Sequence, residues 1–321
     1  MLTTNPLSRT ARWASMILIA VLVESFTATA QTSGSPERYY TSGLARFDKK
    51  DFDGAIADFD RVLQTLLDGP SRRVARRSDD IVVSYERTIV IIPRAAAAYD
   101  GRGLARYAKG DLDEAIADYD QAIGIAPRYA EALNNRGAAW QIKGELEKAV
   151  ADYTQAIQID PGNPGAYFNR GIAHYAQGKW DEAIADMDRS IAINPRNAVA
   201  YLSRGNAWYA KRNWDKALDD FNRAMRLDPR LDAPYNNRGN VKLARKELDA
   251  ALADYNRALE VNPRSAQAYL NRGLVELLKG DETEAERDFE HCRAVDERLG
   301  VSIDERIKNL RRALATTSSE K

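Results

Sequence analysis

From Tyr99 onward the chain repeats itself every 34 residues. Gly103, Gly137, Gly171, Gly205, Gly239 and Gly273 fall at that interval, as do Ala115, Ala149, Ala183, Ala217, Ala251 and Ala285, and Pro127, Pro161, Pro195, Pro229 and Pro263 keep the same step. A period in this range means a stack of supersecondary units, none of which can bury its apolar face alone. A chain built this way works by presenting a long surface.

Each copy reads as two helices. Between Pro164 and Asn197, Tyr167, Gly171 and Tyr175 recur at the spacing of one helical face, before Gly178 and Lys179 break the run. A second amphipathic run follows, with Trp180, Ala183, Ile184, Met187 and Ile191 on one side and Asp181, Glu182, Asp186 and Asp188 on the other. It ends at Asn194-Pro195, because proline cannot continue a helix and disfavours helical geometry in the residue before it. The small residues Gly171 and Ala183 are expected where the two helices of a pair approach closely.

The aromatic, Gly, Ala, aromatic, Pro pattern at this length resembles the tetratricopeptide-repeat family. The resemblance implies an all-α fold, an α-α superhelical solenoid of helix pairs. Six consecutive copies are expected at 96–129, 130–163, 164–197, 198–231, 232–265 and 266–299, with an earlier one in 36–95 carrying Tyr39, Gly43, Ala55 and Phe59 in the corresponding places. A fold of this kind does not by itself specify a partner.

The pattern is broken in three places. After Phe59 the register is lost, and Tyr85 to Pro93 resume it as an insertion or a truncated extra repeat. Asp79 to Ile92 reads as a second helix in register with Asp113 to Ala126, although Ile81, Val82, Val83, Thr88, Ile89, Val90, Ile91 and Ile92 leave a strand pair open. In the last copy Glu282, Glu286 and Glu297 replace apolar residues and the closing proline, as a terminal unit facing solvent requires. Ile303, Ile307, Leu310 and Leu314 then form an apolar stripe, predicting a capping helix over 300–314, and a disordered tail is expected over 315–321.

At the other end, Arg9 and Arg12 precede the apolar run Trp13 to Val23, and Ala28-Thr29-Ala30 supplies small residues where a signal peptidase would cut. The run is shorter than the roughly 20 residues that span a bilayer. A signal peptide over 1–30, cleaved after Ala30, is therefore expected in preference to an uncleaved anchor, followed by a linker at 31–35 and a periplasmic or secreted mature chain with no membrane span.

Lysine plus arginine and aspartate plus glutamate each number 47, and removing residues 1–30 leaves 45 basic against 46 acidic residues. Nucleic-acid binders carry a basic excess or stripe that is lacking here. The local cluster Arg72, Arg73, Arg76 and Arg77 lies beside Asp79 and Asp80 and reads as a solvated loop in preference to an anionic docking site. Cys292 is the single cysteine and excludes an internal disulfide. His174 and His291 make no catalytic or metal spacing with it, and no phosphate loop or nucleophile elbow occurs, so no catalytic residue, metal or cofactor is expected.

Two polar places recur. Arg102, Arg136, Arg170, Arg204, Arg238 and Arg272 precede the repeat glycines, and Asp118, Asp152, Asp186, Asp220, Asp254 and Asp288 follow them by sixteen residues. A guanidinium beside a packed glycine needs a carboxylate, and pairing within the repeat serves all six, whereas pairing with the preceding repeat leaves Arg102 facing Ser84. The second place holds Asn135, Asn169, Ser203, Asn237 and Asn271. The resemblance implies that first helices line a concave groove where an asparagine ladder holds an extended peptide; the same residues also suit a mere family habit. By the same resemblance Phe168, Tyr175, Asn206, Tyr209 and Asn240 face the groove. The expected activity is an exported, non-catalytic scaffold for a polypeptide of unspecified identity. The alternative is a cell-envelope assembly factor whose Trp140, Tyr175, Trp208 and Tyr209 stack on a glycan or other envelope polymer.

Overall fold

In the computed structural model, residues 35–68, 80–295, 305 and 307–309 are described. The proposed signal segment, the arginine cluster at 72–77 and the tail from Ala315 lie outside them. The helices are α1 (Pro36–Asp48), α2 (Phe52–Asp68), α3 (Asp80–Lys109), α4 (Leu112–Ile125), α5 (Ala130–Ile142), α6 (Leu146–Ile159), α7 (Pro164–Ala176), α8 (Trp180–Ile193), α9 (Ala198–Ala210), α10 (Trp214–Leu227), α11 (Ala233–Ala244), α12 (Leu248–Val261), α13 (Ala266–Lys279) and α14 (Glu282–Val295). The five repeat prolines fall in the connections between pairs, and Asn163 and Asn197 cap the helices that follow by accepting from the second and third backbone N–H groups. No strand occurs among the described residues.

The chain divides into two compact units, Met1–Gly178 and Lys179–Lys321. In the first, α1 pairs with α2, α3 with α4 and α5 with α6, and each second helix packs on the next first helix, α6 on α7 included. In the second, α8 packs on α9, and α9/α10, α11/α12 and α13/α14 form successive pairs. First helices touch along one face of each unit: α1, α3, α5 and α7 in one, α9, α11 and α13 in the other.

The glycines make room for an aromatic ring more than for the repeat alanine. A Cβ on Gly205 would stand 2.6 Å from Phe221, and one on Gly239 the same distance from Tyr255. Both rings are fully buried, and the pairing recurs at Gly103 with Tyr119, Gly137 with Tyr153 and Gly273 with Phe289. The alanine contributes at Gly273, where Ala285's carbonyl oxygen would lie 3.1 Å from the added carbon.

The segment for which helix and strand were both open is helical from Asp80, and it is not a separate second helix: it runs through Pro93 into the first helix of the next repeat. Proline there removes one helical hydrogen bond, and the buried face of Ala95, Ala96 and Ala98 immediately after it holds the helix against its neighbours. The place that a second helix at 79–92 would have taken is filled by α2. Phe59 packs on Ala105 and blocks a Cβ at Gly101, Val62 and Leu63 share a core with Ala95 and Ala98, and Arg102 reaches Asp60. At the far end Ile307 is buried in one cluster with Leu270, Leu274, Leu277, Phe289 and Cys292.

Candidate functional site

The recurring arginines tie each first helix to the second helix of its own pair. Arg204 Nε and Nη2 donate to the two oxygens of Asp220 at 2.8 and 2.6 Å, and the same fork joins Arg136 to Asp152, Arg238 to Asp254 and Arg272 to Asp288. Arg102 holds Asp118 in the same way. The pairing within the repeat is as expected, but it does not exclude a backward contact. Nη1 of Arg136, Arg170, Arg204, Arg238 and Arg272 donates to the preceding second helix, at Asp120, Thr154, Asp188, Asn222 and Asn256. A guanidinium has five donors in a rigid fork, so one side chain clamps two repeats. Hydrogen bonding to Asp220 raises the Arg204 pKa above its ordinary value despite burial.

The face these clamps position is lined by carboxamides that largely satisfy one another. In the second unit Gln267 donates to Asn271, Asn271 to both Asn236 and Asn240, Asn236 to Asn237, and Asn237 to Asn206, all within 2.7–3.1 Å. Tyr255 donates to Asn240 at 2.8 Å. Asn271 is only 5% exposed, so it belongs to a spine that ties α13 to α11, rather than to an open ladder. In the first unit Asn169 donates to Asn134 at 3.0 Å and Asn135 to Asp100 at 2.9 Å. Both are half-buried, and the carbonyl oxygen and second N–H of each meet no partner among the described residues. Asn135 and Asn169 thus keep what an extended backbone requires, one acceptor and one donor.

The other expected groove residues divide likewise. Tyr175 is 39% exposed, whereas Phe168 is buried. Tyr209 packs on Trp214 and, with Asn240, Leu243, Ala244, Gln267, Asn271 and Leu274, lines a cavity of about 270 Å³ on the first-helix face of the second unit. Its lining mixes apolar and aromatic side chains with the carboxamides of Asn240, Gln267 and Asn271. Leu243, Gln267 and Leu274 were not singled out from the sequence, where each reads as an ordinary position of an amphipathic helix. Asp100 was also missed, although it stands in the column of Asn134 and Asn236 and carries a charge there.

Two of the aromatic platforms suited to a glycan are occupied by cations. Lys148 Nζ lies 4.4 Å from the centre of the Trp140 ring and Lys216 Nζ 4.2 Å from that of Trp208. No cluster of three or more His, Cys, Asp or Glu side chains that could hold a metal occurs among the described residues, and none of their helices is long and apolar enough to cross a membrane.

Comparison with protein families matches the profile described as TPR repeat to residues 103–141, 142–178 and 239–280, and that described as Tetratricopeptide repeat to residues 168–231. No curated protein matches. Among solved structures, the chain is similar to a tetratricopeptide repeat protein from Parabacteroides merdae, 21% identical over 87% of this chain and 99% of that one, with a TM-score of 0.64. It is similar to Pseudomonas aeruginosa pilF at 18% identity, over 68% of this chain and 99% of that one, with a TM-score of 0.58. A chain of the APC/C hetero-tetramer Cut9-Hcn1 gives a TM-score of 0.58 at 17% identity, over 91% of this chain and 58% of that one. At these identities the likeness concerns the fold alone.

Proposed function

The chain belongs to the tetratricopeptide-repeat family, and from that premise we propose that it is an exported, non-catalytic scaffold that holds a polypeptide partner on its first-helix face. Proteins of this family generally act as scaffolds for protein interactions. The observation that carries the reading is the cavity of about 270 Å³ lined by Tyr209, Leu243 and Leu274 together with the carboxamides of Asn240 and Gln267. Such a cavity takes one apolar side chain while its carboxamides meet the backbone beside it. Asn135 and Asn169 offer the same backbone contacts in the first unit. Each net hydrogen bond contributes about 0.5–1.5 kcal/mol, so a few of them, less the ordering of the peptide, support roughly micromolar binding.

Capture from an envelope extract tests this. The mature chain should retain a stoichiometric polypeptide, and Ala244→Trp, which fills the mouth of the cavity from an exposed helix end, should release it with the circular dichroism unchanged. Retention of glycan alone would favour the envelope-polymer reading instead. Export is tested separately: protein from its native compartment should begin at Gln31, and an intact Met1 in the membrane fraction would overturn it.

A further inference from the structure

Asp100 differs from every other buried carboxylate that is paired in these repeats. Asp58, Asp118, Asp152, Asp220, Asp254 and Asp288 each hold an arginine. Asp100 is 7% exposed and has no cationic partner among the described residues. It accepts from Asn135 Nδ2 at 2.9 Å and from the Tyr129 hydroxyl at 3.4 Å. Burial pushes its carboxyl up to about 7; the Asn135 hydrogen bond opposes this, and Glu131 adds to it. A desolvated carboxylate with two neutral donors is an uncompensated charge, and a cation is what compensates it.

An independent observation lies beside it. Tyr119 is 0% exposed and its hydroxyl has no hydrogen-bond partner among the described residues. In the equivalent place Tyr153 donates to Gln141 at 3.1 Å and Tyr255 to Asn240 at 2.8 Å, so this hydroxyl points toward the first-helix face. Here the places of Gln141 and Asn240 are taken by Tyr107 and Leu104, and no carboxamide is present. After burial, Asp100 is the next cause raising the pKa of Tyr119, and the same holds for Tyr40 and Tyr129. Tyr129, in the connection before α5, touches the carboxylate, and the charge of Asp100 acts on Tyr40 of α1 and Tyr119 of α4.

We propose that this place receives the ammonium or guanidinium group of a lysine or arginine side chain of the bound polypeptide, with Asp100 as its counter-ion, the Tyr119 hydroxyl as an acceptor and the rings of Tyr40 and Tyr129 as walls. The inference rests on the reading of the first-helix face as a polypeptide surface. It makes that surface selective: sequence-tolerant amide contacts along most of its length, and one position that requires a positive charge. Aromatic rings attract a desolvated cation through their negative faces, and the carboxylate supplies the full charge. The groups facing Asp100 are Asn135 and Glu131 from α5, Tyr129, Tyr40 from α1 and Tyr119 from α4, with Asp118 and Tyr107 acting on Tyr119. None of them supplies a positive charge, so an arriving cation holds Asp100 ionised and binding strengthens as the pH rises from 6 to 8.

The test is fluorescence anisotropy of the mature chain with labelled peptides of alternating sequence, (Ser-Lys)5 and (Ser-Gln)5, at pH 6 and pH 8. The lysine peptide should bind roughly tenfold more tightly than the glutamine peptide at pH 8, with much of that preference lost at pH 6. Asp100→Asn keeps an oxygen for Asn135 and should equalise the two peptides and abolish the pH dependence. Tyr119→Phe removes only the unpartnered hydroxyl; it should weaken the lysine peptide about threefold and leave the glutamine peptide unchanged. Equal binding of both peptides by the wild type, or a lysine preference that survives in Asp100→Asn, overturns the cation site while leaving the polypeptide surface standing. Failure of both peptides to bind overturns it and counts against that surface as well.

Discussion

Asn271 donates to Asn236 at 3.0 Å across a full repeat, and its other N–H reaches Asn240 at 2.9 Å. Both hydrogens of one carboxamide are thus committed to the helix beneath it. Its oxygen takes a third contact from Gln267. A side chain so occupied is part of the protein's internal bonding, whereas Asn135 and Asn169, in the same column, each keep an oxygen and an N–H for something else.

Asn271→Ala should therefore cost stability, about 1–3 kcal/mol, because it strands the buried oxygen of Asn236. Asn135→Ala should cost less, with its effect falling on partner affinity. Urea denaturation of the two variants, alongside binding of the captured polypeptide, separates these roles; equal losses of stability would contradict the division.

Gly239→Ala should destabilise by about 1–3 kcal/mol. The Tyr255 ring that its Cβ would meet is fully buried, and its hydroxyl is tied to Asn240, so it cannot swing aside. Gly124→Ala provides the contrast. An added carbon there meets nothing within 4 Å, and the helix should gain about 0.5–1 kcal/mol. Hydrogen exchange should show the Gly239→Ala damage first in the neighbouring repeats, since a stack of this kind couples mainly through nearest neighbours; uniform loosening along the chain would argue otherwise.

Arg204→Met should cost about 1–3 kcal/mol, less than a fully buried pair because the guanidinium is partly solvated. The variant leaves Asp220 buried without its cation, and burial favours the protonated acid. The loss should accordingly be larger at pH 8 than at pH 5. A loss independent of pH would mean that Asp220 does not stay buried once the arginine is gone.

Asp100→Asn should be more stable than the wild type at high pH. The folded pKa of about 7 lies above the unfolded value of roughly 3.9, so between them the folded chain binds more proton and its stability falls as pH rises. Wild type should lose about 2–3 kcal/mol between pH 5 and pH 8 from this group, and the variant should not. Parallel pH profiles of melting temperature for the two proteins would rule out the buried carboxylate as the source.

The repeat length, the two helices per copy, the proline punctuation and the arginine–aspartate partnership were legible in the amino-acid order. Each is a short-range regularity that recurs, and amphipathic spacing states which face of a helix must be covered. Which helix stands beneath the first of the six copies was not legible that way: Tyr85 imitates Phe59 in register, yet it is Phe59 that blocks Gly101, and Arg102 finds Asp60 forty-two residues back. The division among the asparagines was equally hidden. Asn135 and Asn271 occupy the same place in the repeat, and only stacking determines which neighbours come within hydrogen-bond reach of each amide. Asp100 owes its character to the same cause, since a carboxylate on a helix face is ordinary until packing buries it against Tyr129 and Asn135 with no cationic partner among the described residues. Periodicity acts within one unit, whereas the pairing of polar atoms between units depends on distances that exist only after the helices have come together.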